Sequence, residues 1–133
     1  MKKHVPPHMK ELLLPFNWDV RRVWERSATH ETVPIGELHF LLTNPFWSRN
    51  RDSFTDFDLC PMDVLSGRLK SENHRDRIQR ANTYFPLDFI EDNQRLWIVD
   101  GIHRLAKLYQ RKCPDVQIRK HPIAIRSIIE VAA

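Results

Sequence analysis

Glycine, cysteine and long apolar segments are all scarce in this chain of 133 residues. Only three glycines and two cysteines occur. Cys60 and Cys113 lie far apart and show neither Cys-x-x-Cys nor Cys/His ligand spacing, which argues against a zinc site and against a disulfide framework. We therefore expect a reduced, cytoplasmic setting.

The apolar runs are too short for a membrane protein. The longest, ELLLPF and HFLL, fall well below the roughly 20 residues that cross a bilayer. The N-terminal stretch MKKHVPPHMKELLLPF lacks the apolar core and small-residue cleavage site of a signal peptide. We expect neither secretion nor a membrane partner.

The chain does have enough apolar content for one compact domain, together with a small positive excess. Hydrophobic residues make up 41%. The 21 Lys and Arg residues exceed the 17 Asp and Glu residues, and the formal charge of +4 favours anionic ligands without naming one. We predict an N-terminal arm over residues 1–16, which contains three prolines and no clean periodicity, and a single domain over residues 17–133.

Short strands and helices alternate in the first half of the chain. NWDVRRVWERS predicts a short helix with Asn17 as its N-cap. ETVPIGELHFLL predicts a strand over residues 33–35 and then a helix from Gly36, which Pro45 should end. The polar and aromatic connection NPFWSRNRDSFTDFDLCP follows, and loops of this length inside compact domains tend to be functional or mobile.

Two further helices are predicted in the middle of the chain. PMDVLSGRL places Pro61 at a first helical position and Gly67 at a C-terminal cap. SENHRDRIQRAN predicts a basic helix with Ser71 or Asn73 as its N-cap.

The last third of the chain predicts a hairpin, a helix and two strands. Apolar runs over residues 85–90 and 96–99 flank the turn-rich EDNQ, which is typical of a β-hairpin. IHRLAKLYQRK is an amphipathic helix, and strands over residues 116–120 and 123–125 follow on either side of Pro122. The whole pattern predicts an α+β fold, with a small mixed sheet and packed helices.

The stretch IVDGIHRLAK holds the clearest candidate for chemistry. A strand delivers the chain to Asp100 and Gly101, and a helix then opens with His103 and Arg104 on its first turn. The helix dipole disfavours cations at that end. An anion bound to the exposed N–H groups of the first turn would remove the conflict. The alternative is a simple tight turn with both side chains solvated.

The residues RIQRANTYFPLDFI followed by IVDGIHRLAKLY resemble the ParB/sulfiredoxin-like superfamily. Its members have a hydrophobic strand, a turn of the form (D/G)-G-x-(H/R)-R and a helix, and the resemblance covers roughly residues 33 to 125. It implies that the turn binds nucleotide phosphates, as in CTP-hydrolysing partition proteins, ATP-using sulfiredoxins and ADP-dependent serine kinases. The implied cofactor is ATP, ADP or CTP with Mg²⁺, and the implied phosphate-binding residues are Gly101, Ile102, His103 and Arg104.

Two departures from the family limit what the resemblance implies. Sulfiredoxin chemistry needs a cysteine where this chain has Ile102, so we do not expect sulfinic acid reduction. Partition proteins add a helix-turn-helix domain after this module, so for these 133 residues we expect no site-specific partition binding. Phosphotransfer and nucleotide hydrolysis remain the activities that the resemblance implies.

Further side chains are candidates for the same site. His74 and Arg77 lie three apart on one predicted helix, so both could face a shared anion, or they could form a solvated basic face. Phosphate chemistry also needs a general base or a metal-holding carboxylate. Glu31, Glu37 and Asp100 are the possible choices, although Glu37 would equally suit the first turn of an ordinary helix.

A nucleic-acid-binding module or a ParB-like nuclease is the alternative function. The aromatic and basic residues of NPFWSRNR could stack on a base or a DNA strand. They could equally anchor the loop, with Phe46 and Trp47 in the core. The sequence leaves open whether the chain binds DNA and whether it forms a homodimer.

Overall fold

The computed structural model describes residues 3–132 and confirms the α+β class. Among these residues the strands are β1 (Asn17–Trp18), β2 (Thr29–Pro34), β3 (Leu87–Asp92), β4 (Arg95–Asp100), β5 (Asp115–Pro122) and β6 (Glu130–Val131). The α-helices are α1 (Val20–Trp24), α2 (Phe40–Thr43), α3 (Pro61–Leu65), α4 (Glu72–Arg80), α5 (Ile102–Gln110) and α6 (Arg126–Ile129). Short 3₁₀ helices cover Pro7–Met9, Ile35–Leu38 and Ile123–Ile125.

The sheet is small and mixed, as predicted. Its strand order is β2-β5-β3-β4. β3 and β4 form the predicted antiparallel hairpin, whereas β3 and β5 run parallel. Asn93 and Gln94 form the hairpin turn with φ of 51° and 64°, the sign that a type I′ turn requires at both central positions. β1 and β6 make a separate antiparallel pair.

The described residues group into two compact units. The first unit comprises residues 3–31, 87–100 and 118–132. Its core is a cluster of buried apolar side chains, with Trp18, Trp97 and Ile123 packed against it: Leu14, Phe16, Val23, Ile90, Val99, Ile125 and Ile129. The predicted arm contributes Leu14 and Phe16 to this core, so burial of apolar side chains holds its end in place.

A buried polar group, which we call the Asp88 cluster, lies within the first unit. One carboxylate oxygen of Asp88 accepts hydrogen bonds from Arg119 Nε at 2.7 Å and from His121 Nε2 at 2.9 Å. Arg119 also donates to the carbonyl oxygens of Arg26 and Val23, at 2.8 and 3.2 Å. The cluster therefore ties β3 and β5 to the end of α1.

Protonation in the Asp88 cluster follows from its contacts. Burial raises the pKa of Asp88, but the hydrogen bonds from His121 and Arg119 outweigh it and hold this pKa below its usual value. His121 is fully buried, and its Nδ1 has no hydrogen-bond partner among the described residues. The cluster thus holds an ionised carboxylate between a guanidinium and an imidazole.

The second unit comprises residues 32–86 and 101–117 and is built from helices α2 to α5. These helices pack against one another through buried side chains, among them Leu38, Leu41, Leu42, Val64, Ile78, Leu105 and Ala106. Three predicted end signals are confirmed. Pro61 begins α3, Gly67 follows that helix with φ of 79°, and the Ser71 side chain accepts from His74 N at the start of α4.

Several predicted elements differ from the structure. The strand predicted over residues 33–35 is Thr29–Pro34, and the helix predicted from Gly36 begins as the 3₁₀ helix Ile35–Leu38 before α2. The N-cap of α1 is Asp19, whose side chain accepts from Arg21 N at 3.0 Å. Asn17 instead pairs with Val131 in a two-stranded ladder. The second strand predicted at the end of the chain, residues 123–125, is a 3₁₀ helix, because Pro122 ends β5 and the chain turns to bury Ile125.

The helices of residues 3–132 are all too short or too polar for a span across a lipid bilayer.

Candidate functional site

The start of α5 has the backbone geometry that the sequence predicts. Gly101 has φ of 122° and ψ of 11°, a conformation that L side chains rarely adopt. The amide of Leu105 donates to the carbonyl of Gly101 at 2.9 Å, which closes the first helical turn. The N–H groups that precede it have no partner inside the helix. This end of α5 therefore offers donors to a ligand or to neighbouring groups.

The structure brings together two of the predicted side chains, His74 of α4 and His103 of α5. Their Nδ1 and Nε2 atoms lie 3.0 Å apart, and Nε2 of His74 lies 3.0 Å from the carbonyl oxygen of Ser48. Because a carbonyl only accepts, His74 must donate from Nε2 and accept at Nδ1. His103 then donates from Nε2, and its Nδ1 holds a lone pair.

Trp47 stacks on both imidazoles and completes what we call the Trp47 stack. Its ring centroid lies 4.4 Å from that of His74 and 4.2 Å from that of His103, with interplanar angles of 2° and 13°. Backbone hydrogen bonds in both directions between Trp47 and Leu59 hold the two ends of the loop together. Phe46 and Trp47 are both buried, so the loop is anchored in the core.

Both imidazoles of the Trp47 stack are neutral at pH 7. Burial is the largest cause of the low pKa of His103, which is about 3. The positive charge of Arg77 lowers it further, and so does repulsion from His74 in its protonated form. Burial also lowers the pKa of His74, with Arg77 adding to the effect, although the hydrogen bond to Ser48 opposes it. The expected conflict between the helix dipole and two cations therefore reduces to Arg104 alone, since His103 has no charge.

The basic side chains of α5 contact backbone carbonyls. Arg104 Nη1 donates to the carbonyl of Pro86 at 3.0 Å. Lys107 Nζ donates to the carbonyls of Gln79 and Ala81, at 2.6 and 2.9 Å. Lys107 thereby caps the C-terminal end of α4, where the helix dipole favours a positive charge.

A small cavity of about 50 Å³ adjoins the Trp47 stack. Two guanidinium groups, from Arg51 and Arg77, and the polar side chains of Ser53 and Asn73 line it, and no carboxylate does. A cavity that holds one water needs only about 10 to 15 Å³, so this one admits a group of a few heavy atoms. Its donor set suits an anion and does not suit Mg²⁺, which prefers oxygen ligands.

The remaining predicted residues take separate positions. Asp100 ends β4 in the first unit, and its Oδ2 accepts from Trp24 Nε1 at 2.9 Å. Glu37 is exposed in the 3₁₀ helix Ile35–Leu38 of the second unit. Ile102 is the first residue of α5 and is half-buried. Arg77 is exposed, and its charge acts on both imidazoles.

The sequence analysis missed the Trp47 stack as a unit. One signal was available, because His74 precedes the inward-facing Ile78 by four residues and so lies on the same face of α4. Nothing in the local sequence indicated that Trp47, 27 positions before His74 along the chain, would stack on it. That contact depends on how the loop closes on Leu59.

No group of three or more His, Cys, Asp or Glu side chains within residues 3–132 is arranged to hold a metal ion. Comparisons of the chain with protein-family models, with curated proteins and with solved structures gave no match.

Proposed function

We propose that the chain binds the phosphate groups of a nucleotide at the start of α5, with Gly101, Ile102, His103 and Arg104 as the phosphate-binding turn. One observation carries the proposal: the guanidinium groups of Arg51 and Arg77 line the cavity beside the Trp47 stack, and its lining includes no carboxylate. A cavity lined by two guanidinium groups and no carboxylate has a positive potential and is complementary to an anion.

Each residue of the turn has a separate role in this proposal. Gly101 allows the backbone to turn so that the first N–H groups of α5 face the phosphate. Arg104 contributes positive charge and the planar donor geometry that matches phosphate oxygens. His103 is neutral in the free protein, and in this proposal its Nδ1 donates to a phosphate oxygen once the bound anion has raised its pKa and that nitrogen is protonated.

The nucleotide classes proposed are ATP, ADP and CTP with Mg²⁺, and the proposed chemistry is phosphotransfer or hydrolysis. Mg²⁺ is usually bound by one or two carboxylates together with the phosphates, where it neutralises the charge that develops during transfer. Asp100 and Glu37 are the carboxylates proposed for that role or for the general base. Release of phosphate by the Asp100→Asn and Glu37→Gln variants tests whether either one participates.

Calorimetry with each nucleotide in the presence of Mg²⁺ tests the binding proposal. We expect Arg104→Ala to weaken binding by about 10- to 100-fold, the range for losing hydrogen bonds to a charged group. Arg80→Ala is the matched control, because Arg80 is exposed and pairs with Asp76 at 3.2 Å. Absence of binding by every nucleotide, or equal affinity in the two variants, would overturn the proposal.

Titration of His103 provides a second, independent readout. A bound phosphate places negative charge beside the imidazole, so its pKa should rise above about 3 when nucleotide is added. Nuclear magnetic resonance of the imidazole carbons at increasing pH, with and without nucleotide, measures this shift. Binding detected by calorimetry with no change at His103 would place the nucleotide elsewhere.

A nucleic-acid-binding function is the second candidate, supported by exposed aromatic side chains in the second unit. Phe54, Tyr84 and Phe85 are 77%, 86% and 54% exposed, and exposed arginines occur in the same loop as Phe54 and along α4. Aromatic rings combined with cations suit single-stranded nucleic acid. A steep fall in DNA affinity with rising salt would support this function, since phosphate neutralisation releases counterions.

A further inference from the structure

A larger hollow lies away from the start of α5, among α3, α4 and the second half of α5. Its volume is about 570 Å³, within the range of pockets for small molecules. Arg75, Lys107 and Arg111 line it, and its lining includes no carboxylate. The hollow therefore combines three positive side chains with space for a ligand.

The cations of this hollow are not neutralised by acidic partners. Arg75 and Arg111 form no ion pair among residues 3–132, and Lys107 contacts backbone carbonyls only. Asp76, which follows Arg75 in the sequence, lies 3.2 Å from Arg80, and Asp63 of α3 lies 4.0 Å from Arg68. The positive potential of the hollow is thus available to a ligand.

An apolar hollow of about 610 Å³ adjoins the cationic one. The two share Leu65, Ser66 and Gln110 as lining residues, so they lie side by side, and we call the pair the α3–α5 cleft. The second hollow is lined mainly by apolar, aromatic and sulfur-containing side chains such as Met62, Tyr109 and Cys113, and Lys112 also lines it. The cleft therefore has a cationic end and an apolar end.

The rim of the cleft is open at Gly67. The space beside its Cα, where a Cβ atom would lie, is open, with no heavy atom within 4 Å. The positive φ of 79° explains the glycine, because a side chain there would be strained.

We propose that the α3–α5 cleft binds a small organic anion with an aromatic or aliphatic body. The phosphate, sulfonate or carboxylate group contacts Arg75, Lys107 and Arg111, and the body packs towards Met62 and Tyr109. The lining determines the class of ligand. Cations without carboxylates favour a negative head group. The neighbouring apolar side chains favour a hydrophobic body, because burying its surface is energetically favourable. This site is independent of the phosphate turn proposed above.

Phenyl phosphate is the probe, with inorganic phosphate and phenol as its separate halves. Calorimetry should give at least tenfold tighter binding for phenyl phosphate than for either half, because only the whole molecule occupies both ends. Amide resonances should shift around residues 64–67, 75–79 and 107–113. Equal affinity for phenyl phosphate and inorganic phosphate would overturn the proposal.

Paired variants locate the two ends of the ligand. The double variant Arg75→Gln/Arg111→Gln should bind phenyl phosphate at least tenfold more weakly, whereas Arg80→Gln, on the same helix, should bind as wild type does. Tyr109→Ala should weaken the binding of phenyl phosphate and leave that of inorganic phosphate unchanged. Circular dichroism spectra that match wild type would show that each variant is folded.

The outcomes separate this proposal from the phosphate turn. If the phenyl phosphate shifts cluster at residues 101–104 and vanish in Arg104→Ala, the cleft proposal is wrong and the proposed function is supported. If they cluster in the cleft while no nucleotide binds, the proposed function fails and the cleft stands.

Discussion

Two histidine clusters within residues 3–132 have surroundings that are opposite in charge. In the Asp88 cluster, His121 donates to a carboxylate that also holds a guanidinium. In the Trp47 stack, two imidazoles face each other and an indole, and the nearest charge identified is the positive one of Arg77. The first cluster is satisfied by the protein's own charges. The second is neutral, lies at a helix start and has a cation beside it.

The difference separates a structural role from a candidate binding role. In the Asp88 cluster, Arg119 donates to two backbone carbonyls at the end of α1, and these hydrogen bonds attach α1 to the sheet. The Trp47 stack fixes the tautomer of His103 and leaves positive potential next to the first turn of α5. An anionic ligand can neutralise the positive potential beside the Trp47 stack, whereas in the Asp88 cluster the carboxylate already supplies the counter-charge.

The largest expected effect comes from removing the carboxylate of the Asp88 cluster. Asp88→Asn leaves Arg119 buried without its counter-charge, and breaking a buried pair typically costs about 3 to 5 kcal/mol of unfolding free energy. Urea denaturation measures the loss. The control is Asp92→Asn on the same strand, which should change stability by no more than about 0.5 kcal/mol. Equal losses of stability in Asp88→Asn and Asp92→Asn would show that the Asp88 cluster has no special structural role.

An intermediate effect is expected from acid acting on the Trp47 stack. His103 has a pKa of about 3 when folded and an ordinary value near 6.5 when unfolded, so the unfolded chain binds more protons between those limits. The unfolding free energy should therefore fall as pH decreases through that window, by up to about 1.4 kcal/mol per pH unit from this residue. Urea denaturation at several pH values measures the slope.

The control for the acid effect is a pair of histidine variants. His103→Gln should flatten the slope and leave the smaller contribution of His74, whereas the exposed His4→Gln should leave the slope as in wild type. The carboxylate of Asp88 stabilises the fold above its usual pKa. This contribution is lost at lower pH than that of His103, as Asp88 becomes protonated, because its pKa in the folded protein lies below the usual value. An unchanged slope in His103→Gln would contradict the neutral stack.

The smallest expected effect comes from Arg77, whose charge acts on the stack from an exposed position. Arg77→Gln should raise the pKa of both imidazoles, because the variant removes a positive charge beside them. Solvent and salt screen an exposed charge, so the shift is modest and greatest at low ionic strength. Titration by nuclear magnetic resonance measures it, with Arg80→Gln as the variant in which neither pKa should move.

Local signals in the sequence predicted the elements whose cause is also local. Pro61, Gly67 and Ser71 mark helix ends through their own backbone or side-chain chemistry, and the hairpin turn lies where the apolar runs break. The class of the fold followed from those elements. The fold-level resemblance to the ParB/sulfiredoxin-like superfamily stays a prediction.

Contacts between distant parts of the chain were beyond local signals. The apolar residues 123–125 predict a strand, but the structure has a 3₁₀ helix there. Burial of Ile125 in the core explains why the chain turns at this point. The Trp47 stack likewise depends on three segments that meet in space. His103 was identified as a site residue, but its charge depends on that burial and could not be predicted from its position.

The topology of the sheet also has a consequence for the order of folding. The β3–β4 hairpin closes through a two-residue turn, and isolated hairpins form in about 1 to 10 μs. β5 pairs with β3 in parallel, for example Leu87 with Ile118, so that ladder requires closure of a loop that includes all of α5. We therefore expect the β3–β4 hairpin to form first. β5 then pairs with the exposed edge of β3, after the chain through α5 has folded back.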